Sequence, residues 1–181
     1  MVKIYTKKGD FGHTYLIASI PNPVPKYHPK INLLGNMDEL NAYLGLLRSL
    51  IYTTRIKKQK SLAMKILNIQ KEIFQINAYI AGATKNKFNN FTQISNKNIQ
   101  RLEREIDCFW EQLPKLTSFV IPGDNLLNAA AHIARTVCRR AERSLVELAQ
   151  QQNIDKTILA YMNRLSDWLF ALSRILNEYL K

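Results

Sequence analysis

The stretch NLLNAAAHIARTVCRRAERSLVELAQQ, residues 125–151, sets the fold class. Leu127, Ala130, Ala134, Val137, Ala141, Leu145 and Leu148 recur in it at threes and fours, the spacing that gathers apolar side chains on one face of a helix. The same periodicity extends in both directions. From about Asp155 to Leu180, Leu159, Met162, Leu165, Leu169, Leu172 and Leu176 form a second stripe. From about Ser61 to Ala83 the inward set is Leu62, Ile66, Ile69, Ile73, Ile76 and Ile80, and Gly82 marks the end. A helix from about Asn96 carries Ile99, Leu102, Ile106 and Phe109, and one from Met37 carries Leu40, Tyr43, Leu44, Leu47, Leu50 and Ile51. Long helices with short links predict an all-α chain, a five-helix up-down bundle in a single domain spanning residues 1–181.

Residues 1–37 depart from this pattern. Gly9, Gly12, Pro21, Pro23, Pro25 and Pro29 argue against a long helix there and predict a loop-rich N-terminal arm, with residues 38–181 forming the bundle. Thr84 to Gln93 is polar, rich in Asn and Lys, and is predicted to be a surface loop. Pro114 and Pro122-Gly123 bracket a connection around Phe119.

The hydrophobic fraction of 46% and charged fraction of 22% are those of a globular chain. No apolar run approaches the ~20 residues of a membrane helix, and no apolar stretch follows the first lysines as in a secretory signal. A cytoplasmic protein with no membrane partner is expected. The formal charge of +12 attracts phosphorylated small molecules, nucleic acid or anionic lipid without choosing among them. Cys108 and Cys138 lack CxxC spacing and are expected as free thiols. His13, His28 and His132 show no i, i+4 pair, so no structural zinc is expected.

Four segments carry candidate chemistry. In Thr6-Lys7-Lys8-Gly9-Asp10-Phe11-Gly12-His13-Thr14 two glycines allow close backbone approach and the lysines and threonines offer donors to an anion, although the Walker spacing is missing. Asp38, Asn41, Gly45 and Arg48 share the face opposite the leucine stripe, a face expected to meet water, with Asp38 suited to a helix start. Arg135, Arg139 and Glu142 or Arg143 line one side of the 125–151 helix. Guanidiniums stacked in this way require an offsetting anion, which Asp38, another carboxylate, a phosphate or nucleic acid can supply; a solvated basic stripe with an internal Arg–Glu pair accounts for the same residues. In Tyr161-Met162-Asn163-Arg164-Leu165-Ser166-Asp167-Trp168-Leu169-Phe170, the polar Asn163, Ser166 and Asp167 sit amid apolar neighbours and are expected to need partners. Trp168 and Phe170 read as packing residues. The runner-up reading of the basic stripe is a helical nucleic-acid-binding protein.

Taken in order, IYTKKGDFGHT (residues 4–14), GNMDELNAYLGLLRS (35–49), FVIPGDNLLNAAAHIARTVCRRAERSLVEL (119–148) and YMNRLSDWLFALSR (161–174) resemble the PduO-type cobalamin adenosyltransferase family. The resemblance implies a ferritin-like five-helix bundle, a homotrimer with ATP where subunits meet, and a corrinoid beside it. It implies an ATP:corrinoid adenosyltransferase using ATP, Mg²⁺ and cobalamin as substrate, with a reductase and an adenosylcobalamin-dependent enzyme as partners, and no nucleic acid; a corrinoid or ATP carrier without turnover is the alternative within the family. It further implies that Thr6, Lys7, Lys8, Gly9, Thr14, Tyr15 and Lys26 bind the nucleotide together with Arg139, Arg140, Ala141, Glu142, Arg143 and Asn163. Asp38 and Arg135 match a pair that bridges neighbouring subunits, and Phe119 an aromatic residue crowding the lower face of the corrin; these, with Arg139, are the implied catalytic set. Asp124 stands where the family usually has glycine, adding a carboxylate beside that aromatic.

Overall fold

In the computed structural model, which describes residues 5, 7–19, 21–83 and 93–180, five helices carry the core. They are α1 (Pro29–Thr53), α2 (Gln59–Ile80), α3 (Asn96–Trp110), α4 (Leu126–Gln151) and α5 (Lys156–Leu180). α4 packs on both α1 and α5, α2 folds back on α1, and α3 lies on α5. The expected stripes are the core: Leu40, Leu44, Leu47, Ile66, Ile69, Ile73, Ala134, Ala141, Leu145, Leu165, Leu169 and Leu172 are all 0% exposed. Among the described residues no helix is long and apolar enough to cross a membrane.

Local chemistry sets the helix starts. Asn125 caps α4, its side chain accepting from the Asn128 amide at 2.9 Å, and Ser95 with Asn98 forms a reciprocal capping box for α3. α1 begins at Pro29, not at Met37 as the arm's proline content suggested. A proline in the first turn loses no hydrogen bond, and His28 caps the helix by accepting from the Lys30 amide at 3.1 Å. Asp38 therefore lies in the interior of α1, not at its start. Of the Asp38–Asn41–Gly45–Arg48 face, Asp38 is exposed and Gly45 and Arg48 are half-buried, but Asn41 is buried. The same face meets α2, where Asn77 donates to the exposed Asp38 at 2.9 Å and Gln70 to the Asn41 carbonyl at 3.0 Å.

The arm folds into a hairpin: β1 (His13–Thr14) pairs antiparallel with β2 (Val24–Pro25), His13 opposite Pro25. A 3-10 turn at Ile17–Ser19 docks on the end of α2, the Ala18 amide donating to the Ala81 carbonyl at 3.0 Å. Gly82, at φ +92°, touches Ala18 so closely that a Cβ would lie 2.2 Å from the alanine methyl. Thr6 and the predicted loop at 84–92 lie outside the described residues.

A buried polar network ties α2, α3 and α5. Glu72, 8% exposed, accepts from Asn98 (2.9 Å), Arg101 (2.7 Å) and Tyr161 (2.6 Å). Glu105 accepts from Arg101, Lys65 and the Trp168 indole. Burial, then the Glu72 charge, pushes the Tyr161 hydroxyl well above its usual pKa. Burial opposes the charge on Arg101, and the Glu72 and Glu105 carboxylates outweigh it.

Candidate functional site

One edge of α4 is cationic because its helical period interleaves arginines with the buried alanine and leucine stripe. Arg139, Arg140 and Arg143 are exposed and Arg135 is half-buried. The anion offsetting this row inside the chain is Glu39 of α1, which pairs with Arg140; Asp38, the expected carboxylate, is engaged by Asn77 instead. Arg143 donates to the Arg139 carbonyl at 3.3 Å, and the Arg139 guanidinium has no ion pair among the described residues. Ala141 is 0% exposed and faces the core, so its side chain presents nothing to a ligand. Asn163 is exposed, contrary to the inward position expected for it, and donates to Glu142 at 2.9 Å. Glu142 and Asn163 thereby join α4 to α5 at the cationic edge.

Arg135 turns from this row toward α5. Its Nε donates to His132 Nδ1 at 3.4 Å and its guanidinium lies 5.9 Å from the centre of the Phe170 ring. Burial, then the neighbouring Arg139 charge, lowers its pKa. His132, 3% exposed, is lowered by burial and by Arg135, with Asp124 opposing, so its ring is neutral at pH 7 and Nδ1 is free to accept. Within one chain Asp38 and Arg135 do not pair.

Phe170 continues the line. Its ring lies 6.3 Å from Trp110 at the end of α3, and together they line a cleft of about 400 Å³ with Ile106, Asp107, Arg164 and Asp167. Trp110 in turn lies under the Arg174 guanidinium at 4.9 Å. Beyond Arg174 the connection between α3 and α4 encloses a second cavity of about 400 Å³ that includes Phe119, Asp124 and Asn177. Phe119 is 100% exposed. The extra carboxylate, Asp124, is tied to α5 by Asn177 at 2.6 Å.

The hairpin brings Gly9 and Lys26 together: the Lys26 Nζ is 3.4 Å from where a Cβ on Gly9 would stand, and the Lys26 backbone amide donates to the Gly12 carbonyl at 2.9 Å. Gly12 takes φ +76°, and Lys7 is left-handed at φ 58°, a conformation uncommon for residues with a Cβ. Lys7, Lys8 and Tyr15 are exposed and Thr14 is half-buried. Among the described residues, no hydrogen bond or ion pair joins residues 7–28 to Arg135, Arg139, Arg140 or Arg143. The sequence reading missed His132, Phe170 and Arg174 as members of this region. The signal available was the i, i+3 spacing of His132 to Arg135 and of Phe170 to Asp167; Arg174 had none.

Fold and site define an all-α protein that concentrates cations for a polyanionic ligand and carries an exposed aromatic loop beside an aromatic cleft. The sequence profile of the cobalamin adenosyltransferase family matches residues 4–176, and the chain belongs to that family. It is 35% identical to a corrinoid adenosyltransferase of Bacillus subtilis over 97% of this chain and 87% of the relative. It is 33% identical to the human corrinoid adenosyltransferase MMAB over 95% of this chain and 68% of the relative. Corrinoid adenosyltransferase PduO of Citrobacter freundii is 37% identical, but the chain, 94% covered, spans only 49% of that relative's length. Among solved structures, a single-residue variant of a PduO-type ATP:corrinoid adenosyltransferase from Lactobacillus reuteri, complexed with cobalamin and ATP, superposes with TM-score 0.86 at 32% identity, covering 98% of this chain and 92% of that one.

Proposed function

We propose that this protein transfers the 5′-deoxyadenosyl group of ATP to the cobalt of cob(I)alamin. The nucleophile is the substrate itself. The Co(I) electron pair attacks the 5′ carbon, the C5′–O bond breaks, and its electrons leave on the oxygen of triphosphate. The protein then needs no nucleophilic side chain; its work is alignment and stabilisation of the departing charge. The observation that carries this reading is Arg139, an exposed guanidinium in a row of four arginines with no ion pair of its own among the described residues. Lys7, Lys8 and Lys26 on the hairpin supply further cations, and Asn163 with Glu142 orients the neighbouring nucleotide. Among the described residues no cluster of three or more His, Cys, Asp or Glu side chains is placed to hold a metal, so Mg²⁺ belongs with the nucleotide phosphates, where it is ordinarily held by substrate oxygens and few protein ligands.

That no hydrogen bond or ion pair joins arm and arginine row, or Asp38 and Arg135, among the described residues supports a site completed between subunits, the arm of one chain meeting the row of the next in a homotrimer, with Asp38 and Arg135 paired across that boundary. Leu46, Tyr52, Met64, Phe74, Ile133 and Val146 expose apolar surface on α1, α2 and α4, which favours association. Phe119 crowds the lower corrin face, expels the axial base and leaves four-coordinate cob(II)alamin that a partner reductase reduces more readily. A cytoplasmic setting and delivery to an adenosylcobalamin-dependent enzyme complete the proposal. The test is anaerobic spectrophotometry with chemically reduced cob(I)alamin and MgATP. Protein- and ATP-dependent conversion to adenosylcobalamin is expected; a flat trace with folded protein would favour a carrier, or a nucleic-acid-binding protein.

A further inference from the structure

The α3–α4 connection that carries Phe119 is held at both ends by one face of α5. At its start, Arg174 Nη2 donates to the Pro114 carbonyl at 2.7 Å while the guanidinium covers Trp110. At its end, Asn177 donates to Asp124 at 2.6 Å and accepts from Asn125 at 2.6 Å. Asn128 fixes the same end, accepting from the Gly123 amide at 2.9 Å and donating to the Ser173 carbonyl at 3.0 Å. Between these two feet, residues 115–119 are exposed. Arg174 and Asn177 are i, i+3 neighbours, so both feet stand on the same turn of a rigid helix. Arg174 is 9% exposed, and its Nη1 is buried without a hydrogen-bond partner. Burying a guanidinium with one nitrogen unpaired costs stability, so this position is not one that packing alone favours.

We propose that Arg174 is a positioning residue for adenosylation: by pinning the first foot of the loop it sets where Phe119 stands against the corrin. This rests on the reading of Phe119 given above. A loop with both ends fixed has few tip positions, and freeing one end multiplies them. The tip residue then spends less time at the height needed to exclude the axial base. Arg174 touches neither nucleotide nor cobalt in this scheme and acts only through the loop.

The experiment compares wild type, R174Q, R174K, F119A and R174Q/F119A. It measures the fraction of cob(II)alamin converted to the four-coordinate form in the presence of MgATP, by absorbance and electron paramagnetic resonance, together with KM for ATP. R174Q is expected to lower the four-coordinate equilibrium about tenfold, equivalent to ~1.4 kcal/mol, with KM for ATP unchanged. R174K, which keeps a donor for Pro114 but not the planar cover on Trp110, is expected to recover part of the loss. In the F119A background, adding R174Q is expected to have no further effect, because coupled residues fail to add. An unchanged four-coordinate fraction in R174Q overturns the proposal, and so does full additivity with F119A. If R174Q does not fold, N177A, at a half-buried position, removes one of the two holds on the other foot, Asn128 keeping the second, and must lower the four-coordinate fraction in the same direction, again with no effect in the F119A background. A wild type that adenosylates normally beside an unaffected R174Q sinks this inference alone, whereas a wild type with no activity sinks the function on which it rests.

Discussion

Replacing Arg139 with alanine separates function from stability more cleanly than any other change in this chain. The side chain is exposed and has no ion pair among the described residues; the one bond at this residue, from Arg143, goes to its backbone carbonyl and survives truncation. Alanine is also the better helix former, and removing the guanidinium lifts a like charge from Arg135, whose pKa that charge already depresses. Stability should therefore stay within about 0.5 kcal/mol of wild type, a Tm change of roughly 1–2 °C for a chain of this length. Turnover should fall far more. A donor aimed at charge that develops only as the bond breaks is worth on the order of 100–1,000-fold in kcat, and the loss should appear in kcat with little change in KM for cob(I)alamin. R139K should recover a minor part, because a point charge replaces the planar fork. Paired thermal melts and anaerobic adenosylation assays decide it. Turnover within a few-fold of wild type, or a Tm lowered by more than about 5 °C, would refute the reasoning: the first removes Arg139 from the chemistry, the second makes it a structural residue.

Three further outcomes follow from the buried groups. Y161F removes one donor from Glu72, which keeps Arg101 and Asn98, so a loss near 1.5 kcal/mol is expected, seen as a Tm fall of about 3–6 °C. The pKa of His132 is depressed from 6.5, so the unfolded chain binds more protons than the folded one below that value. Stability should be complete above about pH 6.5 and decline as pH falls through the folded-state value, a slope that denaturant titrations of H132Q should find flattened. Cys108 is exposed and Cys138 buried, its thiol pushed well up by burial; a thiol reagent should label one site at once and the second only on global unfolding.

The bundle was legible because its signal is repeated: each helix carries its apolar residues at threes and fours, and burial on one face is the only use such spacing has. The boundary at α1 was misread because proline was counted as a breaker without regard to position, whereas Pro29 occupies the one turn where the missing N–H costs nothing. The polar face of α1 was misread for a related reason. Asp38 is indeed exposed, but Asn41 is buried where Gln70 of α2 meets its carbonyl, and a pairing between helices leaves no mark in the period of either one. Asn163 failed in the opposite direction, judged inward from its neighbours although a small rotation about α5 places it outside.

The site was legible in its residue types and not in its assembly. A cationic row, a glycine–lysine hairpin and an aromatic loop were each visible, yet among the described residues no hydrogen bond or ion pair joins the first two. Within the chain the row is only partly neutralised, by Glu39. Two cationic patches gain nothing from each other; they repel, and only a polyanion lying between them converts that repulsion into binding. Charge that the fold leaves uncompensated is thus the feature that most directly anticipates ATP. The arm is anchored at Ala81, at the end of α2, with no hydrogen bond or ion pair to the arginine row among the described residues, which is compatible with the proposed site between subunits.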